Sequence, residues 1–352
     1  MSGCVTAKTG WTPVHLTLWD EDTGELRAAM PNYLKSHSYG EYFFDWAWAS
    51  AYKEHGIEYY PKLLCAIPFT PVSGDRLLGS DSEAKSALTH VLKEFAFTKN
   101  ISSIHVLFPP DSDLAVLKAE GFMQRESIQF HWKNESQENP ETLFKSFDEF
   151  LLTLNKKRRK NIKHEREFVR NQGVRFEHLP GLDIKPDDWD FFYACYENTY
   201  FNHGSSPYLN IEFFKQLQQS MPQYLHLMIA HHSEQKIAAS LIFRNRNDYP
   251  NEVAYGRYWG SLVDLPNLHF ETSYYQAFEF CIAEGISTFE GGAQGEHKIH
   301  RGMLPVNLHS AHYIGDSRFA KAIDHFLTRE EHQMNQYMSE LESHLPIKKT
   351  SP

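Results

Sequence analysis

Cysteine is scarce in this sequence, and a long apolar run is missing altogether. The chain has four cysteines in 352 residues. Cys4, Cys65, Cys195 and Cys281 fall in no C-x-x-C or zinc-finger spacing. Cysteines so dispersed make no disulfide framework and read as reduced, buried side chains of a protein in a reducing compartment. No stretch of about 18 apolar residues is present to span a bilayer. The opening MSGCVTAKTGWTP has no apolar centre of a secretion signal, and the H-E-x-x-H zinc signature is also absent. The expectation is a soluble, cytoplasmic protein with no transmembrane segment and no metal.

What is present is an aromatic-rich, globular composition. Hydrophobic residues make up 41%, with 25 Phe, 18 Tyr and 7 Trp, which excludes a disordered chain. The length exceeds the roughly 250–300 residues at which one core stops growing, so two modules are expected. The net charge of −10 argues against a general nucleic-acid coat. That average hides one basic segment. Residues 156–170 hold eight Lys/Arg against two Glu, a local +6, so the remainder carries −16.

Three helices stand out. One spans 146–172, opened by the Ser146/Glu149 capping box and stopped at Gly173, with Phe147, Phe150, Leu151, Leu154, Ile162, Phe168 and Val169 on one face. Another spans 317–345 before Pro346, and an aromatic-rich third spans 268–284 before Gly285. Strand runs at 15–19 and 26–34, and at 225–230 and 236–244, predict two hairpins of similar sequence. Each is followed by a helix (82–98 and 268–284) and a short apolar strand (104–108 and 286–289), which predicts an internal duplication. The second copy has a further strand and two helices (174–179, 187–200, 211–220) before its hairpin. The first has only fourteen residues there, so its opening elements are expected to be missing and a sheet edge exposed.

The densest polar constellation is GGAQGEHKIHRGMLP at 291–305, with Gln294, Glu296, His297, Lys298, His300 and Arg301 between glycines. Glycines admit close backbone approach, and adjacent Glu and His suit acid/base work. A second is GRYWG at 256–260 with LHFETSYYQ at 268–276. His269 and Glu271 open a helix there, Arg257 needs an anionic partner if buried, and Tyr258, Trp259, Tyr274 and Tyr275 either wall a pocket or pack as core. Glu41, Asp45 and His131 are acid/base or anchoring candidates, with a helix N-cap as the plainer role for Asp45. TPVSGDR is a Pro/Gly turn that either cradles a phosphate through backbone amides and Arg76 or is a simple loop. Lys156, Arg159, Lys160 and Lys163 share one side of the basic helix, either as a solvated face or as a dock for an anion.

PNYLKSHSYGEYFFDWAWASAY, YYPKLLCAIPFTPVSGDRLL, QFHW, KKRRKNIKHEREFV, GRYWG, LHFETSYYQA and FEGGAQGEHKIHRGMLPV together resemble the bacterial FemABX-like family of peptidoglycan biosynthesis/recognition, or predicted N-acyltransferase, proteins within the GNAT superfamily. The resemblance runs from about residue 10 to 348 and is most specific in GAQGEHK. It implies an α/β chain with mixed sheets, built as two tandem GNAT-like modules. The first, N-terminally short, spans 1–143. The second spans 144–352 and includes the basic helix and the C-terminal helix. It implies N-acyl or aminoacyl transfer to the amine of a small-molecule or lipid-linked acceptor, such as a peptidoglycan precursor. The acyl donor would be acyl-CoA, an acyl-carrier protein or aminoacyl-tRNA. GRYWGSLVDLPNLHFE stands where ordinary GNAT enzymes carry a Q/R-x-x-G-x-G/A pyrophosphate loop.

On this footing Glu296 or Glu271 is expected as base with His297 as partner. Arg257, Tyr258, Trp259, His269, Tyr275, Gln294, Lys298, Arg301, Glu41, Asp45 and His131 would contact substrate, and Lys156, Arg159, Lys160 and Arg76 would bind anions. The competing expectations are a non-catalytic module that binds muropeptide or anionic lipid, and tRNA-dependent aminoacyl transfer.

Overall fold

The computed structural model describes residues 2–79, 81–136, 142–245, 252–293 and 295–347. The first elements are β1 (Trp11–Pro13), β2 (Leu16–Trp19), β3 (Leu26–Met30), β4 (Asn32–Lys35), α1 (Trp46–Glu54), β5 (Lys62–Cys65), β6 (Leu78–Gly79), α2 (Ser82–Thr98), β7 (Ser103–Leu107) and α3 (Asp111–Ala119). Next come β8 (Met123–Lys133), α4 (Phe147–Thr153), α5 (Lys156–Asn171), β9 (Val174–Pro180), α6 (Pro186–Asn202), α7 (Ile211–Ser220), β10 (Leu225–His232), β11 (Gln235–Arg244) and β12 (Val253–Ser261). The last are α8 (Leu268–Phe270), a π turn (Glu271–Tyr275), α9 (Gln276–Glu284), β13 (Thr288–Ala293), a 3-10 turn (Glu296–Arg301), β14 (Leu304–Ile314) and α10 (Ser317–Ser343).

These elements form two compact units, one of residues 3–128 with 307–339, the other of residues 129–306 with 340–352. The division falls inside β8, not at 143/144. The C-terminal helix, expected in the second module, packs in the first, because Phe319, Ile323 and Leu327 share an apolar cluster with Trp48, Tyr52 and Tyr59.

The first unit contains a sheet ordered β1-β4-β5-β7-β14 in which only β5 and β7 are parallel. Leu63, Cys65, Ile104 and Val106 pack with Leu88 and Leu92 of α2. Strand alternation therefore turns Lys62, Ser103 and His105 to the opposite face. The run 26–34, expected as one strand, is divided at Pro31, which has no N–H for a ladder. β3 stays in a small antiparallel sheet, β2-β3-β6, while β4 pairs with β1 and β5. The two hairpins of similar sequence thus occupy different settings. What recurs is a helix between two parallel strands, β5-α2-β7 here and β12-α8/α9-β13 in the second unit.

The second unit orders its strands β8-β13-β12-β11-β10-β9, all antiparallel except β12–β13. Phe192 and Phe214 of α6 and α7 pack toward Tyr258 through ring contacts, while Phe278 of α9 stacks on Trp132 and meets Phe289. The expected helix 146–172 is two helices. The Ser146 cap forms, accepting from the Glu149 N–H, but Leu154 is extended and bridges Ile347. Asn155 then caps a new helix by accepting from the Arg158 N–H at 3.0 Å. Among the described residues no helix is long and apolar enough to cross a membrane, and no cluster of His, Cys, Asp and Glu is arranged to hold a metal ion.

Candidate functional site

β12 and β13 pair over only three residues, ending at Tyr255 and Glu290. β12 then bulges: Gly256 pairs with Ile242 and Tyr258 with Leu241, leaving Arg257 as the extra residue. The bulge reverses the alternation, so Tyr258 meets Tyr196 of α6 while Trp259 meets His269. β13 has its own irregularity against β8 between Glu290 and Ala293, where Gly292 has φ +74°. Where the parallel strands part, a pocket of about 130 Å³ opens between Gly256–Trp259, Phe289 and Gly291 on the strands and His269, Ser273 and Tyr274 on the helix. A Cβ at Gly256 would lie 2.5 Å from the Phe289 ring, so glycine is needed at this close approach.

Around the pocket the titratable groups are mostly neutral bases or cations. Burial pushes His269 down to about 4. Its ring lies 4.5 Å from that of Trp259. The Tyr274 hydroxyl meets His297 Nε2 at 3.2 Å, and burial, then Arg301 and Lys298, lowers the His297 pKa. Lys298 is buried, donates to the Gly292 carbonyl at 3.0 Å, and is drawn down to about 8 by burial and by Arg257. Arg301 lies 3.4 Å over the Phe270 ring and bonds the His297 carbonyl and the Glu165 carboxylate. Tyr275 donates to that same carboxylate. Glu290, paired in register with His131, is pushed up to about 7 by burial against the pull of Arg257. Burial takes His131 down to about 4.

Of the residues expected at a site, Arg257, Tyr258, Trp259 and His269 line this pocket, and His297, Lys298 and Arg301 are grouped in the 3-10 turn beyond it. Tyr275 is core, anchored through Glu165. Glu271 does not serve as a free base. Its buried carboxylate is held by Arg166 through Nε at 3.2 Å and Nη2 at 3.1 Å, and by Gln276 at 2.8 Å. Arg166 also bonds Glu279 at 2.7 Å. Glu296 is exposed and outside the pocket lining, and Gln294 lies outside the described residues. Arg76 is no phosphate cradle. It is buried with Nε on the Leu107 carbonyl and both Nη groups on carbonyls of Val72, Gly74 and Asp75, so it clamps its own loop. Lys156 and Lys160 are exposed and Arg159 half-buried on α5, and Lys163 pairs with Asp148 at 3.1 Å.

The first unit brings Glu41 and Asp45 together on a residue the sequence did not single out. Lys62 Nζ lies 2.7 Å from Glu41 and 2.5 Å from Asp45, all fully buried. Asp45 stands at the N-cap of α1 yet makes no side-chain cap bond. Instead it accepts from Tyr59, which meets His105 at 3.1 Å, and His105 meets His312 at 2.7 Å. Burial pushes Glu41 up to about 7 and Lys35 down to about 7. Burial would raise Asp45 too, but Lys62 and its hydrogen bonds hold it well below the carboxylate range. The only signal in the sequence is polar alternation, Ser103 and His105 in β7 and Ser310 and His312 in β14.

The chain is a mixed α/β protein with sheets of mixed strand orientation, and one parallel pair parts at a bulged strand beside a polar pocket. The chain belongs to the FemAB-like family, described as peptidoglycan biosynthesis/recognition, which matches residues 1–349. Among solved structures it is similar to FemX, with 14% identity, 90% of this chain and 92% of that one covered and a TM-score of 0.52. It is also similar to the C-terminal domain of a putative lysylphosphatidylglycerol synthetase from Agrobacterium fabrum, at 10% identity, 89% and 88% coverage and a TM-score of 0.54. L-PGS from Bacillus licheniformis gives 10% identity, 90% and 88% coverage and a TM-score of 0.55. No curated protein matches.

Proposed function

We propose that the protein is an acyl- or aminoacyltransferase that moves a carbonyl group from an activated carrier to an amine of a peptidoglycan or other cell-envelope precursor, in the cytoplasm. The observation that carries this is the pocket at the parting of β12 and β13, where a bulge turns backbone at Arg257 out of the regular ladder beside neutral histidines. Family membership supports a cell-envelope acceptor. The name of one structural neighbour, lysylphosphatidylglycerol synthetase, denotes an aminoacylated lipid and supports an aminoacyl donor. Acyl-CoA and acyl-carrier protein are the other donors of suitable chemistry, and α5, with Lys156, Arg159 and Lys160, is the surface on which a tRNA or carrier would rest.

In this reading the amine nitrogen bonds to the carbonyl carbon and the ester or thioester bond to the carrier breaks. The proton leaves the amine through the Tyr274 hydroxyl for His297, which is neutral at pH 7 and takes the role expected of Glu296 or Glu271. Arg257 and Lys298 offset negative charge on the leaving carrier. The test is incubation of the full chain with acyl-CoA or aminoacyl-tRNA and a muropeptide or lipid-linked amine, with products followed by mass spectrometry. A product lost in His297→Gln supports the proposal. Tight muropeptide or anionic-lipid binding with no product from any donor favours the non-catalytic module instead.

A further inference from the structure

Three large aromatic side chains of the first unit stand out in solvent. Tyr39 is 57% exposed, Phe44 45% and Trp46 40%. They are contiguous. The Trp46 ring lies 5.0 Å from that of Tyr39 and 6.4 Å from that of Phe44, with the last two planes nearly parallel at 15°. Single exposed apolar residues are ordinary, whereas a contiguous patch with a polar rim marks a binding surface.

The segment that carries the rings is fixed from beneath. Lys35 donates to the Tyr39 carbonyl at 3.3 Å. Arg125, paired with Glu330, donates to the Phe44 carbonyl at 2.8 Å. Asp45, next to Trp46, accepts from Lys62 at 2.5 Å, and Ser38 and Glu41 accept from the same ammonium at 2.8 and 2.7 Å. Tyr42 has φ +67°, a left-handed backbone that costs a bulky residue roughly 1–3 kcal/mol. Buried charge and a strained tyrosine both work against stability, and here both hold three rings in water. A surface fixed in advance loses little conformational freedom when a ligand arrives.

Charge decides what that ligand is. Trp46 also borders an open groove of about 450 Å³ along α1, whose rim carries Ser50, Lys53, Glu58 and Tyr60. Lys53 and Glu58 balance, and beneath them Lys35 and Lys62 balance Glu41 and Asp45. No positive field is present to hold the phosphates of a nucleic acid or of an anionic membrane. Trp46 and Phe44 are open and nearly parallel, not folded about one point as a cage for a quaternary ammonium. A prolyl peptide has no N–H for the Glu58 carboxylate, which can only accept. A neutral sugar meets every condition. The C–H face of a pyranose presents slight positive charge to the negative face of an aromatic ring, and its hydroxyls both donate and accept at the rim.

We propose that the surface formed by Tyr39, Phe44 and Trp46, with the groove beside α1, is a carbohydrate-binding site that takes neutral pyranose rings by their C–H faces. It lies within the first unit and does not depend on the transferase reading.

The test titrates tri-N-acetylchitotriose and cellotriose, both neutral, into the full-length protein. The indole N–H resonance of Trp46, assigned by its loss in Trp46→Phe, should shift with at least one of them. Calorimetry should show Trp46→Ala weakening that sugar roughly tenfold or more, and Tyr39→Ala and Phe44→Ala weakening it severalfold. Trp46→Phe keeps a ring face and should retain most of the affinity. Because the three rings are exposed, the urea midpoint of each variant should stay at that of the parent, which separates lost binding from lost folding. Added salt should leave the affinity unchanged. Three results would overturn the proposal: no shift with either sugar, the same affinity in Trp46→Ala as in the parent, or a Trp46 resonance moved more by a polyproline peptide, choline or anionic phospholipid vesicles than by the sugars. Each leaves the transferase reading standing.

Discussion

The hydroxyl of Tyr274 lies 3.2 Å from Nε2 of His297, joining a side chain that lines the pocket to a half-buried imidazole outside its lining. Tyr274 comes from a π turn, whose extra residue re-aims the side chains of the following helical turn. His297 comes from the 3-10 turn after β13. Neither position is adjacent in sequence, and the pair forms only when β13 delivers the turn beside the helix.

If His297 is the base, it must be unprotonated to work. Its pKa is lowered from the ordinary 6.5 by burial and neighbouring cations. The rate should therefore rise with pH through a midpoint below 6.5 and be flat near pH 7 on this limb. His297→Gln should lower kcat by roughly 10²–10⁴-fold, and Tyr274→Phe should lower it less. A kcat/KM profile whose acid limb is unchanged in His297→Gln would assign the base elsewhere.

Glu271 gives the complementary expectation. Because Arg166 and Gln276 already occupy its carboxylate, Glu271→Gln should change turnover by no more than a few-fold. Arg166→Met should strand a buried carboxylate and cost roughly 3 kcal/mol of stability. Combining the two should cost less than their sum, since the same contact is lost once. Urea unfolding of the three variants reads both effects.

In the first unit Lys62 holds two buried carboxylates at once. Lys62→Met should destabilise by roughly 3–5 kcal/mol, because Asp45 is then buried without a cation and Glu41 keeps only Lys35, at 3.9 Å. The triple replacement Lys62→Met, Glu41→Gln, Asp45→Asn should recover much of that loss. A single variant as stable as the parent in urea would show that the cluster carries no such coupling.

Acid should weaken the fold already above the ordinary carboxylate range. Burial lowers His105 to about 3 and shifts His312 in the same direction. Between pH 6.5 and 3 the native state therefore binds fewer protons than the unfolded chain. The stability these rings contribute is complete above pH 6.5 and is lost as pH falls toward 3, by roughly 2 kcal/mol for His105 at pH 5, with His312 acting in the same direction. Glu41, pushed up to about 7, acts oppositely between its ordinary 4.5 and 7 and offsets part of the loss. The urea midpoint should fall between pH 7 and 5, and less steeply in a His105→Gln, His312→Gln double variant.

Several elements were legible because their signals are local. α2 begins and ends where expected, since Asp81 caps it by accepting from the Ala84 N–H and the apolar period is unbroken. α6, α7 and the two strands of the second hairpin agree in the same way. The division of the basic helix was not legible, because Leu154 continues the apolar period in phase. Only its bridge to Ile347 and the Asn155 cap show the break. Of the candidate site, the segments GRYWG and EHKIHR were visible as unusual clusters, and four residues of the first, Gly256 to Trp259, do line the pocket. Ser273 was not visible, since a lone serine in a helical run carries no signal.

Local chemistry in the sequence determined which segments could be strands and helices and which polar runs mark the second unit. Tertiary structure decided which polar groups work together. Glu271 and Arg166, Lys62 and Asp45, and Tyr274 and His297 are far apart in the chain, and whether a charge is free or spent depends on what a parallel strand or a packed helix sets against it. A carboxylate in the sequence is a candidate base; once buried against a guanidinium it is half of an ion pair.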